Sequence, residues 1–487
     1  MRIHLTRIGL TRVSVMALVA SLSFPGFSAA AGLMPNNLAV LRIAPPETGS
    51  GPSDAASPVF IEQFSKTTLN QTVSNATTKV ALPTVASNTG NRALVLSGLS
   101  GSNGGLTRSS NYYYLTLGGY NATVGGLTEN DADPGSAFSS EVARVIGKID
   151  ALGTVDTTTA LNDAYDGDNF RNVATTDGTK FWTAGNQSYD STTHGVRYAP
   201  LGAPGNTSLK VAGDPGNINR VQIFDGQVYA SARSPGGGVD RGVYLVGTDT
   251  DEALPTTASP DENQVNIIKT DPSSTGPYDF FMANLNPSIN TLRADGTVTG
   301  IDTAYLADTS LGIRKYVHNG TAWQFAYNIA VAGGVTGLTG EVIDGKVTLY
   351  GITGLAAAGN RLISVTDNGV GSAVSILATA PANNAFRGVA FTPYLPGDAT
   401  LDGVVDGADY TKWADNYLQS GGFVQGDFNS DGVIDGADYT VWADNYLLNV
   451  NGPSPSLAIS AVPEPATWSL LAVGAAVLAA ARWRAKR

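Results

Sequence analysis

Oxygen-bearing side chains recur twice at metal-ligand spacing in the C-terminal quarter of this 487-residue chain. Residues 397–418 read GDATLDGVVDGADYTKWADNYL, and residues 426–447 repeat them as GDFNSDGVIDGADYTVWADNYL, 29 positions later. Counted from the first Asp of each loop, oxygen donors fall at positions 1, 3, 5, 9 and 12, with Gly at position 6, the pattern of an oxygen cage for a hard cation. In the first loop the ligands are Asp398, Thr400, Asp402, the backbone carbonyl of Val404, Asp406 and Asp409. In the second they are Asp427, Asn429, Asp431, the carbonyl of Val433, Asp435 and Asp438. The expected cofactor is calcium, two ions, with Gly403 and Gly432 allowing the sharp turn in each loop.

Such loops need elements to hold them. Tyr410, Trp413, Ala414, Tyr417 and Leu418 form an apolar stripe at helical spacing, and Tyr439, Trp442, Ala443, Tyr446 and Leu447 repeat it, so each loop runs into a short helix and the two helices can pack face to face. A unit of about 50 residues is too small to hold these carboxylates together unaided, so metal binding should be part of its folding free energy. The duplicated loop and helix resemble a type I dockerin, the calcium module that docks onto cohesin domains. Asp at position 12, where an ordinary EF-hand carries Glu, is shared with that family. Thr400 stands where Asn or Asp is usual and should weaken the first site. Gly407-Ala408 and Gly436-Ala437 replace the hydroxyl pairs that many dockerins use for cohesin contact. The resemblance implies a cohesin-like domain or other dockerin partner.

The two ends of the chain read as address labels. Arg2, Arg7 and Arg12 precede an apolar stretch ending in Ser28-Ala29-Ala30-Ala31, a secretory signal peptide over residues 1–31. Near the other end, Val462-Pro463-Glu464-Pro465 precedes an uncharged apolar run over 466–481 and a basic cluster of Arg482, Arg484, Lys486 and Arg487. Sixteen residues make a short transmembrane helix, with Trp468 and Trp483 as interface anchors and the basic cluster on the cytoplasmic side. This order of motif, span and arginines resembles the PEP-CTERM sorting signal. The resemblance implies recognition by an exosortase, cleavage near Pro-Glu-Pro, and passage through the inner membrane to the envelope, cell surface or extracellular matrix.

The net charge of −12, set against basic segments at both ends, leaves the region between them strongly acidic and argues against nucleic acid as a partner. The chain has no Cys and three His, one of them in the leader, which excludes disulfides, Cys catalysis and a three-histidine zinc site. His194 and His318 read as surface or turn residues. Asp163, Asp166 and Asp168 read as a solvated loop, and Tyr112, Tyr113 and Tyr114 as alternating positions on one strand.

Residues 32–395 are mainly β. Alternating runs rich in β-branched and aromatic residues, such as 112–117, 221–230, 347–352 and 362–365, are separated by Asp-Gly and Asn-Gly turns at 177, 225, 295, 319 and 344 and by Asp367-Asn368-Gly369. Several turns lie 48 or 49 residues apart, the length of one four-stranded propeller blade. That pitch predicts a β-propeller of about seven blades, six being possible, with residues 59–64 and 387–392 closing the ring. Residues 396–449 form the dockerin-like module and 450–461 a linker. Two functions fit: a non-catalytic display or binding propeller at the cell surface, contacting extracellular polysaccharide, or a secreted glycoside hydrolase or lyase tethered through its dockerin.

Overall fold

The computed structural model describes residues 32–452, apart from 47–50, 52, 74–79, 89, 126–136, 187–191, 214–215, 234–240, 260–262 and 355–358. The signal peptide, the Val462 to Pro465 motif and the 466–481 segment lie outside the described residues. Among the described residues no helix is long and apolar enough to cross a membrane.

Six antiparallel sheets follow one another in sequence, each a blade with its first-named strand innermost. Blade one joins the two ends of the fold: Ala385–Phe391 pairs with Leu38–Ile43, followed outward by Val59–Phe64 and Val80–Ala81. Blade two runs Leu106–Arg108, Tyr114–Tyr120, Arg144–Asp150 and Ala160–Leu161, with Val155–Asp156 also on the third strand. Blade three is Phe170–Thr175, Lys180–Gly185, Val196–Pro200 and Leu209–Ala212. Blade four is Ile218–Phe224, Gln227–Ala232, Gly242–Val246 and Gln264–Lys269. Blade five is Phe280–Ala283, Thr303–Asp308, Gly312–His318 and Trp323–Ile329, and blade six is Val335–Ile343, Lys346–Thr353, Arg361–Thr366 and Val374–Thr379. The protein is a six-bladed propeller.

The count of about seven is therefore corrected to six. Innermost strands begin at Leu106, Phe170, Ile218, Phe280, Val335 and Ala385, so the pitch varies from 48 residues after Phe170 to 64 after Leu106. The Asp-Gly turns reported the length of one compact blade, while the long excursions lie between strands and carry no turn signal. The ring closure is also corrected. Residues 59–64 belong to the closing blade, but the strand beside Ala385–Phe391 is Leu38–Ile43, paired from Leu38 with Phe391 to Ile43 with Ala385. All six residues of that strand are buried, so it lacks the alternation that marks a half-exposed strand.

The hairpin turns formed as their chemistry requires. Asp225 and Gly226 both adopt positive φ, 46° and 72°, between the first two strands of blade four, and Asp344 and Gly345 do the same in blade six at 50° and 74°. Apolar side chains pack chiefly between consecutive blades. Trp182, Val221 and Tyr244 fill the space between blades three and four, and Tyr305, Ile313, Leu338 and Val365 that between five and six. Polar clamps supplement them. Asp367 of blade six accepts hydrogen bonds from Tyr305 (2.6 Å), Tyr327 (2.6 Å) and Lys315 (2.8 Å) of blade five. Glu341 of blade six meets Lys66 beyond blade one at 2.8 Å. Burial opposes ionisation of Asp367, but the bonds from Lys315, Tyr305 and Tyr327 outweigh it and bring its pKa down to about 2.

At the centre, the N-terminal ends of the innermost strands lie beneath residues 98–105. Arg387 donates to the Gly98 carbonyl (2.6 Å) and Arg220 to the Ser102 carbonyl (2.9 Å). A Cβ on Gly388 would stand 2.4 Å from the Leu106 nitrogen, so the approach of blades one and two admits only glycine there. The opposite end of the channel, where the innermost strands finish, carries the C-terminal module.

Candidate metal centre and its seat on the propeller

Each repeat folds as a loop leading into a helix: α1 is Gly407–Asp415 and α2 is Gly436–Asp444. Asp406 and Asp435 cap them, accepting from Ala408 N (2.7 Å) and Ala437 N (2.8 Å). Asp409 and Asp438, at loop position 12, complete the capping box and reach back across the loop. Asp409 accepts from Asp406 N (2.8 Å) and Thr400 N (2.9 Å); Asp438 accepts from Asp435 N (2.9 Å), Phe428 N (2.7 Å) and Asn429 N (2.9 Å). At position 1, Asp398 accepts from Gly403 N and Asp427 from Gly432 N, both at 3.0 Å. Asp402 and Asp431 each accept from the amide two residues on, at Val404 and Val433 (2.9 Å).

The halves are reciprocal. Trp413 Nε1 donates to the Asp435 carbonyl and Trp442 Nε1 to the Asp406 carbonyl, both at 2.8 Å. Val405 and Ile434, in the two loops, pair with the segments that follow the opposite helix, at Leu447–Leu448 and Leu418–Gln419. Tyr410, Trp413, Tyr439 and Trp442 stack between the helices at 5.2–6.4 Å. The face-to-face packing expected from the stripes is present in its first turns. Tyr417, Leu418, Tyr446 and Leu447 remain exposed, the two leucines at 71 %.

The donor set suits a cation. Asp398, Asp409 and Asp438 are fully buried and Asp427 is 4 % exposed, yet among the described residues none pairs with Lys or Arg. Buried carboxylates without a countercharge are costly. Burial, reinforced by Asp409 and Asp402, pushes Asp398 up to about 6, and burial with Asp438 raises Asp427. Among the described residues no three His, Cys, Asp or Glu side chains close on one point as a finished cage; the loop carboxylates rest on their own backbone amides. An all-oxygen donor set with surplus negative charge is what a hard dication takes.

The module is seated on the propeller through residues that sequence patterning assigned to a strand. Tyr112, at φ 70°, stacks with Tyr394 (5.6 Å) and Phe423 (6.0 Å), and Tyr113 packs on Phe423 (5.9 Å). The Tyr113 hydroxyl donates to the Phe428 carbonyl inside the second loop. Burial, then Asp438 and Asp427, raise its pKa. Only Tyr114 belongs to the strand, Tyr114–Tyr120. On the first loop's side the seat is the chain's own beginning: Gly32 N donates to Val450 O (2.9 Å), Leu33 N to Ala151 O (2.7 Å), and Val450 N to Gly403 O (2.9 Å). Val450, expected to open a linker, is fully enclosed.

The other expectations divide. His194 is buried rather than on the surface, and His318 ends a strand beside Trp323 with its imidazole pKa lowered by burial. Asp163, Asp166 and Asp168 do not converge. They serve Ser208 (2.6 Å), Ser139 (2.8 Å to its amide) and Asn186 (2.6 Å) respectively. Between the propeller mouth and the second loop lies a cavity of about 1080 Å³, reached by Arg108, Gln222, Phe281, Asp427 and Asp431 among others. Sequence periodicity gave no sign of it.

Comparison with solved structures gives distant likenesses. Dihydro-heme d1 dehydrogenase NirN matches at 10 % identity and TM-score 0.31, covering 76 % of this chain and 57 % of its own, so this chain spans little more than half of that protein. TolB from Acinetobacter baumannii matches at 10 % identity and TM-score 0.34, covering 74 % and 67 %. A glucose dehydrogenase matches at 11 % identity and TM-score 0.34, covering 71 % and 99 %. At such scores the fold rests on its own strand pairing. No curated protein matches the chain. The family model for the PEP-CTERM protein-sorting motif matches residues 461–487, so the C-terminus carries that sorting motif, which implies exosortase as the sorting partner and export to the cell envelope or surface.

Proposed function

We propose that the exported protein is a non-catalytic binding or display propeller whose dockerin-like module folds around two calcium ions. The first ion is held by Asp398, Thr400, Asp402, the Val404 carbonyl, Asp406 and Asp409, the second by Asp427, Asn429, Asp431, the Val433 carbonyl, Asp435 and Asp438. The observation that carries this reading is the burial of Asp398, Asp409, Asp427 and Asp438, which no Lys or Arg among the described residues pairs with. Calcium supplies the missing countercharge and ties each loop to its helix. The exposed Tyr417-Leu418 and Tyr446-Leu447 give two equivalent apolar patches, either of which could meet a cohesin-like protein partner. Exosortase processes the chain near Val462, Pro463, Glu464 and Pro465.

Support for the non-catalytic role comes from the turn carboxylates at the channel mouth. Asp225 is held by Arg293 (2.9 Å), Asp177 by the Thr179 hydroxyl (2.7 Å) and Asp295 by the Thr297 hydroxyl (2.6 Å). Each is engaged in its own turn or ion pair, and the bonds from Thr297 and Thr179 lower Asp295 and Asp177, away from an acid role.

Calorimetric titration of the chelator-treated mature chain should reveal two calcium sites, and chelation should quench or shift the Trp413 and Trp442 fluorescence. No heat and no spectral change would overturn the calcium reading. For the sorting step, mass spectrometry of the surface-extracted protein should find a C-terminus near residues 462–465; an intact Arg487 would refute processing.

A further inference from the structure

Among the described residues, the cavity between the propeller mouth and the second loop contains one cation with little to do. Arg108 is clasped by three rings, its guanidinium carbon 4.8 Å from the Tyr112 centroid, 4.8 Å from Tyr394 and 5.2 Å from Phe391. A single bond, to the Thr392 carbonyl at 3.3 Å, is the one hydrogen bond it makes among the described residues. Among those residues no carboxylate lies within ion-pair distance of it, whereas the other arginine of the cavity, Arg293, is held by Asp225 at 2.9 Å. Aromatic faces fix the plane of the guanidinium and leave its remaining N–H groups to a ligand, the arrangement that favours bidentate capture of a carboxylate.

The rest of the wall narrows the ligand. Phe224 and Phe281 place half-buried rings in the wall, and Asn111 and Gln222 bring side-chain amides that can donate and accept. Stacking faces beside paired donors and acceptors match a pyranose ring, which has apolar C–H faces and an equator of hydroxyls. A volume of about 1080 Å³ has room for more than one such ring. Asp427 and Asp431 stand in the same wall and would repel an anion unless a cation neutralises them.

We propose that this cavity binds an acidic saccharide, with a uronate carboxylate on Arg108 and the sugar ring against the aromatic and amide wall. The site rests on the calcium reading in one respect, that the second-loop ion cancels the charge of Asp427 and Asp431. Binding is therefore calcium-dependent, and the propeller and module recognise the saccharide together.

Titration of the calcium-loaded mature chain with tri-galacturonate tests this, with the neutral trimer of galactose as the companion ligand. The acidic trimer should bind and the neutral one should bind at least tenfold more weakly. Arg108→Gln should weaken uronate binding about 10- to 100-fold, while terbium luminescence at the calcium loops stays unchanged, which shows that the module is still seated. Thr339→Trp, placed in the cavity wall on blade six, should block the saccharide and spare terbium. Equal binding of neutral and acidic trimers, or full uronate affinity in Arg108→Gln, would overturn the proposal. So would displacement of the trimer by millimolar inorganic phosphate alone, which would mark a simple oxyanion site. Uronate binding that persists without any terbium or calcium uptake would instead refute the calcium reading and the coupling, leaving the saccharide site standing.

Discussion

The two acidic loops are nearly the same sequence in opposite surroundings. Around the first, Gly403 is walled in: a Cβ there would stand 2.6 Å from the Val450 side chain and 3.5 Å from Met34 and Pro35. Around the second, the equivalent Gly432 has nothing within 4 Å, and the loop forms one wall of the cavity at the propeller mouth. Thr400 donates to Asp398 at 3.4 Å in the first loop, where Asn429 bonds to Asp431 at 3.0 Å in the second. Duplication supplied matched oxygen donors, and docking on an asymmetric surface left the glycine turn of one loop enclosed and that of the other open. Ligand spacing alone would rank the first site weaker for its threonine; enclosure works the other way, by slowing release.

The largest test of this contrast is removal of the second loop's anchors. Asp427→Ala with Asp438→Ala should abolish one of the two calcium sites and destabilise the module by about 4 kcal/mol or more, since Asp438 alone accepts three charge-assisted bonds. Tryptophan-monitored unfolding in calcium should then show a separate early transition ahead of the propeller. A single unchanged transition would mean that the seat on the propeller, and not the metal, holds the module.

Paired glycine substitutions are next in size. Gly403→Ala and Gly432→Ala both place a side chain at positive φ, 84° and 87°, at a cost of about 1–2 kcal/mol. Only Gly403→Ala also overpacks Val450, for about 1–3 kcal/mol more. Equal losses in thermal unfolding would show that the enclosure of the first loop is not tight.

Tyr113→Phe removes the hydroxyl that donates to Phe428 O and should cost about 1 kcal/mol, felt as roughly fivefold weaker cation binding at the second loop only. Stopped-flow chelation should show one of two release phases accelerated. The smallest effect concerns the first loop. Thr400→Asn supplies a stronger oxygen donor and should tighten that site by about fivefold or less, with the slower release phase slowed further. Slowing of the fast phase instead would reverse the assignment of phases to loops.

Much of the site was legible before any fold was known. Asp398, Asp402, Asp409 and their counterparts stand out as oxygen donors because the loop is local: six donors fall within twelve residues, between a turn and a helix cap. The hairpins at Asp225-Gly226 and Asp344-Gly345 were legible for the same reason, since their turn type demands residues tolerant of positive φ. The blade number was not, because excursions of unequal length, such as the one between Tyr120 and Arg144, stretch the pitch without leaving a periodic mark. Tyr112 and Tyr113 likewise looked like part of a strand, and their partners Tyr394, Phe423 and Phe428 lie some 280 to 315 residues away.

The sequence by itself determined the C-terminal sorting motif, the duplicated oxygen donors, the helices that follow them and the β character of the middle region. Each depends on neighbours a few residues apart, where side-chain type and backbone preference act directly. Only the tertiary structure decided that six blades close through Leu38–Ile43, that the module sits on the channel mouth, and that Arg108 is left facing a cavity beside the second loop. Those outcomes depend on which buried surfaces fit across long separations in the chain, and close packing between distant segments leaves no spacing for a sequence to display.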